Sequence, residues 1–239
     1  MRFFSDDLSL SKEDINHIAN VLRLKTGDEI TICDGKLTDY KCAITKISKP
    51  ELAVEFDILG SSPNLSEPCV QITLFQGLPK SDKMDLIVQK CVELGVYRIV
   101  PVECSRSITK ITDNRDKKIA RWQNIAEAAA KQSGRGIVPE IASPISFDKA
   151  VGQMLSCDVA LMPYELENVN SIKNALTPPS NISNIAIFIG PEGGISDEEI
   201  ALAKSKDIQT VSLGKRILRC ETAGFTALIL ILSTLGEYE

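Results

Sequence analysis

The chain has 239 residues, 44% of them hydrophobic, enough for one large domain or a medium domain with a small companion, and too apolar for an intrinsically disordered protein. Its formal net charge is −5, from 27 basic and 32 acidic residues, so any nucleic-acid contact has to come from cations clustered on particular faces. Seven cysteines, an odd number without a C-x-x-C pair, and a single histidine exclude a disulfide framework, a zinc site and a multi-histidine metal centre, and read as reduced cysteine in a cytoplasmic protein.

The opening decapeptide MRFFSDDLSL places acids where a secretory signal needs an apolar core. Ser11 and Asp14 stand where they would cap a helix over 12–20. Strands are predicted over 28–33, 40–47 and 51–59, the first two separated by the turn signal Asp34-Gly35. Short strands this closely spaced suggest a small barrel or sheet. Residues 60–68, GSSPNLSEP, lack an apolar period and mark the expected boundary, giving domains 1–66 and 67–239.

Beyond residue 70 strands alternate with helices. Strands are predicted over 70–76, 98–102, 158–162, 185–189 and 208–213. A helix over 82–94, capped by Ser81, puts Met84, Ile87, Val88, Cys91 and Leu94 on one face. A second, over 114–132, turns Ile119, Trp122, Ala126 and Ala129 inward. A third, over 197–205, opens with Ser196 and Glu199 spaced as a capping box, and a fourth covers about 221–235. The run 185–189 is apolar without alternation, as in a strand covered on both faces. The alternation predicts an α/β domain built on a parallel sheet. The most apolar stretch, 222–235, is too short to span a bilayer and reads as a core helix, so no membrane partner is expected.

Ligands of parallel α/β sheets bind beyond the carboxyl ends of the strands, and three segments stand at such ends. The first is Gly190-Pro191-Glu192-Gly193-Gly194, between a buried strand and a capped helix. Its glycines permit close backbone approach and positive φ, but the pattern is neither G-x-G-x-x-G nor a P-loop. On pattern alone it is either a tight strand-to-helix turn or a ligand loop. The second runs from Leu213 and Gly214 through Lys215, Arg216, Ile217, Leu218, Arg219, Cys220 and Glu221 to Thr222 and Ala223. Ile217 and Leu218 suit a pocket for an apolar ring, or they tuck under the sheet while the charges are solvated. The third, Met162, Pro163, Tyr164 and Glu165, says by itself only that a strand ends.

Basic residues gather in places: Lys80 and Lys83, Arg106 and Lys110, Lys131 and Arg135, and in the first domain Arg2, Arg23 and Lys25. Each is either a solubilising charge or a phosphate contact. His17 reads as structural or RNA-contacting rather than as a general base.

The segments GPEGGIS at 190–196 and LGKRILRCETA at 213–223 resemble the two cofactor motifs of the SPOUT methyltransferases. MRFF at 1–4, HIANVLRLKTGDEI at 17–30, KSDKMDLIVQKCVELGV at 80–96, the Arg106-Ser107 pair and RWQNIAEAAAKQSGRGIVPEI at 121–141 resemble the RsmE-type branch, whose members methylate N3 of a uridine in small-subunit (16S) ribosomal RNA. The resemblance spans nearly the whole chain. It implies a C-terminal trefoil knot, a PUA-like RNA-binding β-barrel in front of it, and a homodimer in which each active site lies against the partner. It further implies S-adenosyl-L-methionine as cofactor, wrapped by Met162, Pro163, Tyr164 and Glu165, by Ile189 and the 190–194 loop, and by Leu213, Gly214, Ile217, Leu218, Arg219, Thr222 and Ala223. Ribosomal RNA would meet Arg2, His17, Arg23, Lys80, Lys83, Arg106 and Arg135.

Methylating N3 of uracil requires that its proton leave and that the charge spreading onto the carbonyl oxygens be stabilised, and Arg135 and Arg219 are the candidate cations. Glu221 is either a general base or, more in keeping with its place at a helix start, a cap. Neither a metal nor a second cofactor is called for. Two other readings compete. A non-catalytic RNA-binding or ribosome-assembly protein leaves the paired strand-end motifs unexplained, and a small-molecule enzyme leaves the N-terminal domain without a task.

Overall fold

The computed structural model describes residues 1–48, 51–107, 115–177 and 182–238; Lys110 and the first residue of the helix expected over 114–132 lie outside them. The described chain divides into two compact units, one of Met1–Glu67 with Ala130–Val138, the other of Pro68–Ala129 with Pro139–Glu239.

The first unit is built on the strands β1 (Arg2–Phe4), β2 (Glu29–Cys33), β3 (Thr38–Ser48) and β4 (Ala53–Pro63), paired in that order. The β1–β2 pair is parallel and the other two pairs are antiparallel. Helix α1 (Lys12–Asn16) starts as expected, with the Ser11 side chain accepting the Asp14 N–H. It is shorter than 12–20 because the chain widens into a π-helical turn over His17–Val21. Strand β4 runs through Pro63, so the first residues of the expected linker 60–68 are paired with β3 instead. Composition misled there: Gly60, Ser61 and Ser62 satisfy their backbone groups on the neighbouring strand whatever their own preference. Phe3, Ile18, Ile30, Ile32, Cys42 and Ile44 form the core of this unit.

The second unit is a parallel sheet. Its strands are β5 (Gln71–Gly77), β6 (Arg98–Glu103), β7 (Glu140–Ile141), β8 (Ile145–Ser146), β9 (Val159–Pro163), β10 (Asn184–Ile189) and β11 (Gln209–Val211). Their order is β11-β9-β10-β5-β6-β7, with β8 also on β6. Strand β10 is covered on both faces, as its unbroken apolar run requires: Ile185, Ala186, Ile187, Phe188 and Ile189 are all buried.

Helices α2 (Lys83–Glu93) and α3 (Arg115–Ser133), α4 (Phe147–Met154) and the short α5 (Ile172–Ala175) connect the strands, with α6 (Asp197–Ser205) and α7 (Cys220–Thr234) closing the chain. One core joins Phe75, Val100, Phe188 and Met162 of the sheet to Phe147 and Met154 of α4 and Ile200 and Ala203 of α6, where Phe147 meets Phe188 edge to face at 5.1 Å. Helix α2 packs against α7, which buries Ala227, Leu228, Ile231 and Leu232. Among the described residues, no helix is long and apolar enough to cross a membrane.

Two details depart from the sequence reading. Ser81 does not cap α2: it takes a left-handed conformation, φ +56°, and Asp82 occupies the cap position without a side-chain bond. Helix α4 and strands β7 and β8 were not expected, since elements of two to eight residues hold too little periodicity to read.

Candidate active site

Strands β11, β9 and β10 are neighbours in the sheet and parallel, so their carboxyl ends open on the same side. The loops that follow them frame a cleft of about 550 Å³, within the range of small-molecule sites. Pro163, Tyr164 and Glu165 line it from β9, and Ile189 and the whole loop Gly190–Gly194 from β10. Leu213, Gly214, Ile217, Leu218, Arg219 and Ala223 line it after β11. The three segments singled out in the sequence therefore meet in one cavity. Met162 and Thr222 do not line it. The Met162 side chain points into the core below, fully buried, because successive strand residues alternate faces. Thr222 is exposed elsewhere on the first turn of α7.

The glycine loop is braced. A Cβ on Gly193 would stand 2.9 Å from the Arg106 carbonyl oxygen, and Gly194 has φ +74°. Behind the loop, the Arg106 guanidinium donates to the Ile195 carbonyl at 3.1 Å. The capping box of α6 is formed as expected, Ser196 and Glu199 each accepting the other's N–H. Glu199 also accepts the Ser105 N–H at 2.8 Å. At the front, Glu192 accepts the Lys80 N–H at 3.1 Å and the Lys83 ammonium at 2.9 Å.

Lys83 also lies 3.5 Å from Glu221, so one ammonium ties the glycine loop to the start of α7. The Glu192 hydrogen bond raises the affinity of Lys83 for its proton. Burial pushes both carboxyls up, but Lys83 and nearby N–H groups outweigh it and leave Glu192 and Glu221 below the ordinary carboxylate range. Cys220, beside them on the cleft wall, is driven by burial and by Glu221 to about 12 and stays a thiol. A carboxylate so committed is a weak base, which favours the reading of Glu221 as part of the helix start.

The wall after β9 was not legible in advance. Glu167 accepts the N–H groups of Val169 and Asn170 at 2.9 and 3.1 Å and the Thr210 hydroxyl at 2.8 Å. These bonds hold its carboxyl down at about 2. Asn170 in turn accepts the Ser212 N–H at 2.7 Å. The signal was present as E-x-V-N, an acid one turn ahead of amides it can accept, but such Asx-like turns are too common to single out. Asn168, Ile195 and Ser212 also line the cleft and were not among the expected site residues, and Lys215, Arg216 and Cys220 line it within the 213–223 segment.

Several expected contacts are otherwise engaged. Arg135, a candidate catalytic and RNA-binding cation, is 3% exposed and paired bidentately with Glu67, its N–H bonds at 3.0 and 2.5 Å. It belongs to the first unit, where its guanidinium faces the half-buried Glu67 carboxylate. Arg2 is likewise committed, to Asp39 at 2.7 and 2.5 Å and to the Arg135 carbonyl at 2.9 Å. Lys83 is paired with Glu192 and Glu221, and Arg106 donates to the Ile195 carbonyl. His17 packs edge to face on Phe3, in keeping with its structural alternative. Arg23 and Lys80 are exposed.

Comparison with known proteins matches residues 66–232 to the family described as RNA methyltransferase domain and residues 10–57 to the RNA methyltransferase PUA domain. A ribosomal RNA small subunit methyltransferase E of Bacillus subtilis is 33% identical over 225 residues, 92% of this chain and 87% of the relative. The crystal structure of a ribosomal RNA small subunit methyltransferase E from Neisseria gonorrhoeae bound to S-adenosyl methionine is similar with a TM-score of 0.85 and 33% identity, over 97% of this chain and 96% of that one. A putative methyltransferase from Legionella pneumophila, in complex with the same cofactor, is similar with a TM-score of 0.87 and 31% identity, over the same shares, 97% and 96%.

Proposed function

This chain belongs to the RNA methyltransferase family that includes the ribosomal RNA small subunit methyltransferase E enzymes, and on that premise we propose that it transfers a methyl group from S-adenosylmethionine to N3 of a uridine in small-subunit (16S) ribosomal RNA. The observation that carries the reading is the single cleft into which the two motif segments fall, 190–194 from one wall and 213–219 from the other.

The residues present fit the cofactor. The cavity has the volume of a small-molecule site, Gly190, Gly193 and Gly194 put no side chains into it, and Ile189, Ile217 and Leu218 offer apolar surface for a ring. When bound, S-adenosylmethionine supplies an electrophilic methyl group on a sulfonium. Backbone N–H and C=O groups of 190–194 and 213–214 would hold its polar edges, and Pro163, Tyr164 and Glu165 would close the third side. The chain's own contribution is mainly orientation of acceptor and methyl group, with the 190–195 loop braced before the ligands arrive. Arg219, exposed at the cap of α7 and lining the cleft, is the cation proposed for the uracil carbonyl oxygens as N3 loses its proton.

The proposal includes a cytoplasmic homodimer whose partner covers the exposed apolar residues Leu166 (70% exposed) and Val169 (87%) beside the cleft. It also includes a trefoil knot. The entry of β10 between the earlier strands β5 and β9 supports it. Incubation with methyl-labelled cofactor and unmodified small ribosomal subunits, followed by mapping of the label, tests the activity. Label at N3 of one uridine is expected; no label, or label on ribose or protein, ends the reading.

A further inference from the structure

Four cationic side chains line the cleft, and they are not alike. Lys83 is held between Glu192 and Glu221. Lys215, Arg216 and Arg219 are exposed and make no ion pair or side-chain hydrogen bond among the described residues. Three unpaired like charges within five residues repel one another, in a chain whose 32 carboxylates make partners plentiful. Such a cluster suits a polyanion that arrives from outside.

We propose that Lys215 and Arg216 grip the phosphates flanking the nucleotide whose base enters the cleft, leaving Arg219 to the base itself. The assignment rests on the RNA methyltransferase reading. A base taken out of its stack brings its own 5′ and 3′ phosphates to the rim of the pocket it enters. Lys215 and Arg216 line the cleft as exposed side chains, directly after Gly214 at φ +109°. Arg219 lines the cleft from the cap position of α7. Phosphate contacts position a strand without reading its sequence, and they let an acidic protein bind RNA on one small face. This locates the basic surface that the net charge of −5 leaves unplaced.

The test is the double variant K215Q/R216Q beside its charge-keeping counterpart K215R/R216K. Binding of a fluorescent oligouridylate is titrated against salt for each. With single-stranded RNA each phosphate contact contributes about 0.7 to the slope of log affinity against log salt, so K215Q/R216Q is expected to flatten the slope by roughly 1.4. The charge-keeping variant is expected to retain the wild-type slope. In methyl transfer to small ribosomal subunits, K215Q/R216Q is expected to raise the KM for RNA on the order of tenfold, with a smaller change in cofactor affinity by calorimetry. Equal slopes for wild type and K215Q/R216Q, or no binding of the oligouridylate by the wild type, overturn the assignment. Wild-type methyl transfer separates the two levels: if it occurs while the slopes are equal, only the loop assignment falls, and if it does not occur, the underlying reading falls as well.

Discussion

The two walls of the cleft are made differently. The wall at 190–195 is fixed from behind and in front: Arg106 presses on Gly193 and bonds to Ile195, and Glu192 is tied to Lys80 and Lys83. The wall at 213–219 carries Ile217 at 88% exposure, and among the described residues its one side-chain bond is from the Gly214 N–H to the Ser212 hydroxyl at 3.2 Å. One wall is pre-formed and the other is left for ligands to complete. Pre-formed donors cost nothing to reorganise when a ligand binds, and in the proposed function an exposed loop would adapt to both a nucleoside cofactor and an RNA strand.

The sharpest way to break this contrast is to crowd the rigid wall. In Gly193→Val the new Cβ meets the Arg106 carbonyl at 2.9 Å, and backbone cannot swing aside as a side chain can. Overpacking of this kind costs about 2–3 kcal/mol, on the order of a hundredfold in cofactor affinity by calorimetry. Unchanged affinity would mean that 190–194 is a turn and not a cradle. Lys83→Met comes next. It strands Glu192 and Glu221 against each other, and about tenfold weaker cofactor binding with a lower Tm is expected. Ile217→Ser probes the soft wall. At 88% exposure it supports nothing in the free protein, so Tm should stay unchanged while cofactor affinity falls about fivefold. A fall in Tm equal to that of Lys83→Met would erase the distinction between the walls.

The same division explains what could be read from the chain. Strand β10, the capping box of α6 and the buried face of α2 were legible because each is enforced by its own local pattern: an unbroken apolar run, S-x-x-E, and apolar residues at helical spacing. The glycine loop was legible as a place, though its choice between turn and ligand loop needed the second motif beside it in space. The Arg135 ion pair could not be read from the chain because its partner Glu67 lies 68 residues away, and a paired cation looks like a surface cation until the fold brings both ends together. Lys83 is engaged at long range in the same way, by Glu192 and Glu221. Long-range pairing decides which cations are spent, and it leaves Lys215 and Arg216 unspent.

The wall after β9 stands between the extremes, and its smallest effect is also the one with a signed pH dependence. Glu167 holds the loop by accepting two N–H groups and the Thr210 hydroxyl, with its carboxyl lowered from 4.5 to about 2, chiefly by the Val169 N–H. A carboxyl lowered on folding lends its support fully above its unfolded value and loses it as pH falls through the folded one. The protection of the Val169 and Asn170 amides from hydrogen exchange, relative to intrinsic rates, should therefore be level above pH 4.5 and fall towards pH 2. In Glu167→Gln the amide oxygen still accepts but carries no charge, so exchange should be faster by about threefold at neutral pH and flat across the acid range once intrinsic rates are removed. An acid-dependent step that persists in Glu167→Gln would assign the loop's anchoring to another carboxylate, with Glu165 the nearest in the chain.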